Sequence, residues 1–108
     1  MATITVSFDG TTLSLSDNGH TNASRSEQII WLPGNGVHAV TNIAVKNSSP
    51  KPTADFWSNP PNPNGVNFRG TINETVSGAW DYDICCNVGT VQNPLIKCID
   101  PRIQVESN

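Results

Sequence analysis

The sequence has few charges and no long hydrophobic stretch. Asp, Glu, Lys and Arg make up 14% of the 108 residues, and the net charge is −3. Proteins bind nucleic acids and anionic lipids through clusters of Lys and Arg. This chain has six such residues in all and a net negative charge, so we predict that it does not bind nucleic acid. No apolar run is long enough to cross a bilayer, and the N-terminal residues MATITVSFDG lack the basic and apolar regions of a signal peptide. We therefore predict no membrane partner. The chain as written is expected to be cytoplasmic, whereas a mature chain trimmed of a leader would be secreted.

A sustained helical period is also missing. The apolar residues, 36% of the chain, occur instead in short alternating runs such as Ile4, Val6 and Phe8, which is the pattern of a strand with one buried face. Asp9-Gly10 is a hairpin signal, and the alternation resumes at Leu13 and Leu15. Similar runs separated by turn signals predict roughly seven to nine strands. We predict one domain over residues 1–108, an all-β, antiparallel Greek-key β-sandwich.

Two segments without alternation lie on either side of a longer predicted strand at residues 37–46. Residues 16–28 are polar and contain Asn18-Gly19, which predicts a loop. In residues 37–46 the alternation places Val37, Ala39, Thr41, Ile43 and Val45 on one face and Val40 on the other. Residues 47–65 contain five prolines in 19 positions, and a central strand cannot tolerate the missing N–H groups. We predict an extended crossover there, anchored to the core at Phe56 and Trp57.

The cysteines are few and odd in number: Cys85, Cys86 and Cys98. At least one has no partner in the chain, and reduced thiols are the simplest interpretation. A Cys85–Cys98 or Cys86–Cys98 disulfide is the alternative in an oxidising compartment. A zinc site built from the three thiolates and His38 has a complete donor set but no C-x-x-C element. Because adjacent strand residues face opposite ways, only Cys86 is expected to join the core.

The C-terminal third contains "GAWDYDICC" and "CIDPRIQVE", a glycine-led strand with alternate aromatics that ends in cysteine, then a loop and a final strand of alternating aliphatics. This layout, over residues 70–106, resembles the last strands of cupredoxin-like domains, with the immunoglobulin-like sandwich as a close competitor. Copper-binding cupredoxins carry His and then Met soon after the cysteine. Here the only Met is Met1, and the two His are His20 and His38. The resemblance therefore implies the scaffold without copper, and we predict no cofactor.

Functional motifs are scarce. No nucleophile elbow is present and His38 has no motif that would pair it with a nucleophile, so we predict no catalysis. Asp81 and Asp83 are expected to face solvent from an alternating strand. An exposed aromatic ring beside Asn-rich loops suits a sugar or a protein partner. Our predicted binding residues are Trp57, Asn59, Asn62 and Asn64.

These observations predict a non-catalytic recognition or assembly module. It would bind a protein partner, or form a homo-oligomer, through its loops and an exposed sheet edge. A lectin-like carbohydrate-binding domain that uses Trp57 and the neighbouring Asn side chains is the alternative. A metal-binding protein built on Cys85, Cys86, Cys98 and His38 is a third hypothesis.

Overall fold

A computed structural model of the chain describes residues 2–45, 56–76 and 78–105. Within these ranges the chain forms strands, turns and bends and no helix. The strands are β1 (Ala2–Phe8), β2 (Leu13–Leu15), β3 (His20–Ala23), β4 (Gln28–Pro33), β5 (Ala39–Val45), β6 (Trp57–Asn64), β7 (Asn67–Ile72), β8 (Gly78–Asn87), β9 (Ile96–Ile99) and β10 (Arg102–Val105). The all-β prediction is confirmed, with ten strands in place of seven to nine.

The strands form two sheets that pack into a sandwich. One sheet has the order β2-β1-β4-β7-β6, and the other has the order β3-β10-β8-β5, with β9 also paired to β8. The strands β9 and β10 lie end to end along one edge of β8, because Ile99 pairs with Ile84 and Arg102 pairs with Asp81 in a single continuous register. Asp100 and Pro101 separate β9 from β10 in this long partner strand.

The predicted two-residue alternation defines the core. In β1, Ile4 and Val6 are buried, and the hairpin to β2 pairs Val6 with Leu15 and Phe8 with Leu13, as the sequence indicated. In β8 the inward-facing set is the predicted one, and all four side chains are buried: Trp80, Tyr82, Ile84 and Cys86. These residues pack between the two sheets against Ile29 and Trp31 of β4, Phe68 and Ile72 of β7, and Ile103 and Val105 of β10.

The prediction of a wholly antiparallel fold is wrong. Strand β1 runs parallel to β4, with Ile4 beside Trp31, and β10 runs parallel to β3. Parallel neighbours need a crossover connection. The chain provides one by leaving the first sheet after β2, forming β3 in the second sheet, and returning as β4 next to β1. Alternation along a strand carries no information about the direction of its neighbour, so the pattern could not show this.

Two segments predicted to lie outside regular strands contain strands. Within the predicted loop 16–28, β3 forms and buries Thr21 and Ala23, a stretch too short and too polar to give a visible alternation. Within the predicted crossover, residues 57–64 form β6, which lies at the edge of its sheet. Proline is compatible with this position because an edge strand leaves one side unpaired. The remainder of that crossover, residues 47–55, falls outside the described residues.

Strand β5 departs from its predicted alternation. A β-bulge lies between Val40 and Asn42, and opposite it Val40 pairs with Cys86 while Asn42 pairs with Cys85. The extra residue reverses the faces, so that Val40 is buried and Thr41 is exposed. Thr41 donates its hydroxyl to the carbonyl oxygen of Cys85 at 3.0 Å. The predicted alternation placed Val40 and Ile43 on opposite faces, and this is wrong, because they lie opposite Cys86 and Ile84 on the same face of the sheet.

No helix in the described ranges has the length and apolar character that a membrane-spanning helix requires.

Candidate functional site

The cysteines do not form a three-thiol set. Cys85 of β8 and Cys98 of β9 lie directly opposite each other, with Cα atoms 4.1 Å apart, and form a disulfide. Facing residues of an antiparallel pair come this close where they do not exchange backbone hydrogen bonds. Three reduced thiols are therefore the wrong interpretation, and of the two predicted disulfides the structure contains the Cys85–Cys98 bond.

Cys86 is the free cysteine, and it is fully buried on the opposite face of β8. Burial raises the pKa of its thiol to about 11, because the apolar surroundings disfavour the thiolate. The neutral thiol is a poor nucleophile toward the neighbouring disulfide. Strand alternation thus places the two adjacent cysteines of β8 on opposite faces: Cys85 is oxidised in the disulfide, and Cys86 is a buried, unreactive thiol.

The connection from β8 to β9, residues 88–95, is organised by one buried side chain, Asn87. Its Oδ1 accepts hydrogen bonds from the backbone N–H of Gly89 at 2.8 Å and of Leu95 at 3.0 Å. Its Nδ2 donates to the carbonyl oxygen of Thr90 at 3.3 Å. Two backbone bonds close the loop, from Val88 N–H to Leu95 O and from Thr90 N–H to Asn93 O. The Asn87 side chain and these backbone bonds therefore hold the two ends of the loop together.

Gly89 makes this tight arrangement possible. A β-carbon at position 89 would overlap the carbonyl oxygen of Asn93 and lie 2.8 Å from the backbone nitrogen of Leu95. We call residues 85–98, closed by the disulfide and by Asn87, the β8–β9 hairpin. Its loop has a defined shape, since backbone bonds, an Asx turn and a covalent bond all fix it.

The β8–β9 hairpin presents apolar side chains to solvent. Val91, Leu95 and Ile96 are 71%, 50% and 50% exposed, and the other large exposed hydrophobic residue in the described ranges is Val66, at 45%. Single exposed apolar residues are normal on protein surfaces, but three on one fixed hairpin are a candidate contact surface. The sequence alone did not predict this surface. The Asn-x-Gly turn in "NVGTVQNP" indicates that the loop is ordered, but it does not show which side chains the loop exposes to solvent.

Trp57 does not offer the exposed ring that the binding hypothesis requires. Its side chain is only 8% exposed, and its ring lies 4.9 Å from that of Trp80, 5.1 Å from that of Phe56 and 5.9 Å from that of Trp31. The prediction that Phe56 and Trp57 anchor this segment to the core is confirmed. Burial is favoured because a ring of this size removes a large apolar area from water. The Nε1 of Trp57 has no hydrogen-bond partner within the described part of the chain.

The predicted Asn residues are brought together without Trp57. Asn59, Asn62 and Asn64 of β6 line a groove of about 290 Å³ together with Gln28 of β4 and Arg69 and Thr71 of β7. Asn62 donates its amide to the carbonyl oxygen of Pro60 at 2.9 Å, which orients the side chain. We call this the amide groove. It offers several hydrogen-bond donors and acceptors and one guanidinium group, but no aromatic platform.

The remaining candidates lie apart from one another. His38 is exposed just before β5, and its backbone N–H donates to Asn87 O at 2.8 Å. In residues 2–45, 56–76 and 78–105, no three His, Cys, Asp or Glu side chains form a group that could hold a metal ion. The Arg102 guanidinium forms a bidentate ion pair with the Asp81 carboxylate, with Nε bonded to Oδ1 at 2.5 Å and Nη2 bonded to Oδ2 at 3.0 Å. Asp81 is therefore part of the β8–β10 pairing.

No protein-family model matches the chain, and a search of curated proteins found no similar sequence. The residues and the geometry described above are therefore the basis for any functional conclusion.

Proposed function

We propose that the protein is a non-catalytic recognition module that binds a protein partner through the β8–β9 hairpin. The observation that carries the proposal is the combination of rigidity and exposure: a disulfide and a buried amide fix a loop whose apolar side chains face solvent. Ordering a loop costs conformational entropy at the moment of binding. A loop that is already ordered avoids this cost, and exposed Val91, Leu95 and Ile96 supply the apolar contact area.

Site-specific photocrosslinking tests this proposal. A photoreactive amino acid placed at Val91 should crosslink to a polypeptide in an extract of the cells that make the protein. The unlabelled protein should compete this crosslink away, whereas a Leu95→Asp, Ile96→Asp double variant should not compete. Val66 is the control, because it is also an exposed valine, at 45% against 71% for Val91, but lies in the β6–β7 turn. Equal crosslinking from positions 66 and 91, or competition by the double variant, would show that the hairpin is not the binding surface.

Carbohydrate binding is the second candidate, now supported by the amide groove in place of Trp57. Amide and guanidinium groups arranged along a groove suit the hydroxyl groups of a sugar. A glycan array followed by titration calorimetry tests this candidate, with Asn62→Ala and Arg69→Ala as variants and Asn93→Ala as an exposed control outside the groove. Absence of binding on the array, or equal binding by all three variants, would eliminate it.

The disulfide supports an oxidising compartment, and hence the secreted alternative for localisation. Alkylation of the protein taken directly from its native source, followed by mass spectrometry, should find Cys85 and Cys98 unmodified. Finding both residues alkylated without prior reduction would favour the cytoplasmic alternative.

We further infer that the scaffold is closer to the cupredoxin-like than to the immunoglobulin-like sandwich. Immunoglobulin-like domains are built from two antiparallel sheets, whereas both sheets here contain a parallel pair. An experimental structure that recovers the β1–β4 and β3–β10 pairings would support this assignment.

A further inference from the structure

We infer that the partner binds as an extended strand along the outer edge of β9, and that the bound segment carries an acidic residue facing Lys97 and an apolar residue two positions away. The inference rests on the proposed function and specifies the binding mode and the chemistry of the partner. Its basis is the hydrogen-bonding pattern of β9, the position where β3 begins, and the residues that line the adjacent cleft.

The backbone pattern shows which groups of β9 point away from β8. Val88 N–H donates to Leu95 O, and Tyr82 N–H donates to Pro101 O. Hydrogen-bonded pairs recur every second residue in an antiparallel ladder, so Lys97 and Ile99 bond to β8. Ile96 and Cys98 therefore direct their N–H and C=O groups outward. The close approach of Cys85 and Cys98 is consistent with this alternation.

Farther along the same edge, the corresponding outward groups are already used. Arg102 N–H donates to Gly19 O at 2.8 Å, and from there β3 pairs in parallel with β10, up to Val105 beside Ala23. Strand β3 stops short of β9. Within the described residues, the outward groups of Ile96 and Cys98 have no strand beside them. The edge is thus half occupied, and an added strand would continue the line of β3.

The other long edges are less suited to strand addition. β6 contains Pro60, Pro61 and Pro63, which remove donors and obstruct pairing. β5 is tied to the opposite sheet, because Val40 N–H donates to Val66 O at 3.0 Å. β9 has neither feature.

A cleft of about 240 Å³ adjoins Ile99 at the β3 end of this edge. It is lined by the apolar side chains of Leu13, Leu15, Ile99 and Pro101, by the polar side chains of Ser14 and Asn18, by Gly19 and by the acidic Asp100. Ile99 pairs with buried Ile84, so both face the interior side of the sheet. An apolar side chain of an added strand, placed beside Ile99, would enter this cleft.

Charge determines the second feature of the partner. Lys97 pairs with buried Cys86, so it lies on the same side of the sheet as Ile99 but is exposed. Side chains two residues apart share a face. An acidic residue beside Lys97 would therefore be two positions from the apolar residue in the cleft. A second copy of β9 supplies a lysine in place of an acid, and one self-pairing register sets the two Lys97 side chains opposite each other, which is unfavourable. Charge complementarity therefore favours a different protein.

Designed peptides test the inference. The probe is a heptapeptide with leucine at its second and fourth positions, glutamate at its sixth position and threonine elsewhere. It is acetylated, amidated and fluorescently labelled. A second peptide with the reversed sequence tests the opposite strand direction. The control peptide has lysine in place of glutamate. Fluorescence anisotropy measures affinity, and amide chemical shifts of Ile96 and Cys98 in NMR spectra locate the site. We expect saturable binding of the glutamate peptide, about threefold weaker binding of the lysine peptide, and shifts centred on those two amides.

Two variants separate backbone pairing from side-chain contact. Ile96→Pro removes an outward N–H that β8 does not use, so we expect about tenfold weaker binding with the fold retained. Ile96→Ala keeps that N–H and should bind more tightly than Ile96→Pro. Lys97→Glu should reverse the preference between the two peptides, and this result does not depend on whether Ile96→Pro folds.

Equal affinity for both peptides in wild type and in Lys97→Glu would overturn the charge assignment. Equal binding by Ile96→Pro and Ile96→Ala would overturn strand addition. A dimer detected by light scattering and abolished by Ile96→Pro would show that the occupant is a second copy. In each of these cases, a competed crosslink from position 91 would still support the hairpin as a binding surface, so the two proposals fail separately.

Discussion

Single residues determine the shape of the β8–β9 hairpin. Asn87 bonds to three backbone groups on both sides of the loop, and Gly89 allows the two sides to approach. Cys86, next to the disulfide, faces the opposite way and is protected by burial. Each of these roles can be tested by one substitution.

Asn87→Ala should lower the free energy of unfolding by about 2 kcal/mol, because the N–H groups of Gly89 and Leu95 lose their acceptor in a partly buried site. Urea unfolding followed by circular dichroism measures the change. Gln92→Ala, an exposed substitution in the same loop, is the control and should stay close to wild type. Equal stability of the two variants would mean that Asn87 does not organise the loop.

Cys86 should make stability depend on alkaline pH. Its thiol titrates near 9.0 when unfolded, and burial raises the pKa to about 11 in the folded protein. The folded state therefore holds the proton more tightly, and the free energy of unfolding should fall as the pH rises from 9 to 11. Cys86→Ala is expected to be less stable at every pH but to show a shallower decline in this window.

The comparison of slopes isolates Cys86, because Tyr82, whose pKa burial also raises, titrates in both proteins. Stability curves of wild type and Cys86→Ala that run parallel between pH 9 and 11 would contradict the prediction.

At the level of elements, the edge strands differ in how they are protected. Prolines protect β6, and β5 is bonded to the opposite sheet, while β9 is held by its pairing with β8 and by the disulfide. β9 is therefore the strand whose attachment depends most on a covalent bond, and it is also the strand that we propose as the binding edge.

Reduction of the disulfide should destabilise the protein by about 3 kcal/mol, the amount expected for closing a loop of about this length in the unfolded chain. The two cysteines are 13 residues apart. Urea unfolding with and without a dithiol reductant measures the loss, and hydrogen exchange should show that the amides of β9 lose more protection than those of β1. A Cys85→Ser, Cys98→Ser double variant should match the reduced protein and be insensitive to reductant. Uniform loss of protection across all strands would argue against a local role.

At the level of the whole molecule, the aromatic residues form one interior cluster. Trp31 donates its Nε1–H to Tyr82 Oη at 3.0 Å, and the rings of Trp80 and Tyr82 stack 4.9 Å apart. All three tryptophans, including Trp57, lie between the sheets.

Tryptophan fluorescence should therefore resist quenching by iodide and acrylamide in the folded protein and become strongly quenched in urea. Sugars that bind the amide groove should leave the emission unchanged, since no tryptophan lines it. Free tryptophan in the same buffers is the control. A quenchable fraction near one third in native buffer would indicate that one of the three rings is exposed after all.

The sequence predicted the parts of the site that depend on local chemistry. The outward direction of Cys85, the burial of Cys86 and the hairpin at Asp9-Gly10 follow from alternation and turn propensity. The sequence predicted Asn59, Asn62 and Asn64 as binding residues. It did not predict Gln28 of β4 and Arg69 of β7, which line the same groove. The apolar tip at Val91, Leu95 and Ile96 was missed because exposure depends on what packs nearby.

The sequence by itself determined that the protein is all-β and which side chains of β1 and β8 form the core, because a two-residue alternation is a property of each strand alone. Only the tertiary structure decided the parallel pairings, the choice of Cys85 rather than Cys86 as the disulfide partner of Cys98, and the half-occupied edge at β9. Each of these depends on which distant strand lies alongside, and that choice minimises exposed apolar area and unpaired backbone groups over the whole molecule rather than within any segment.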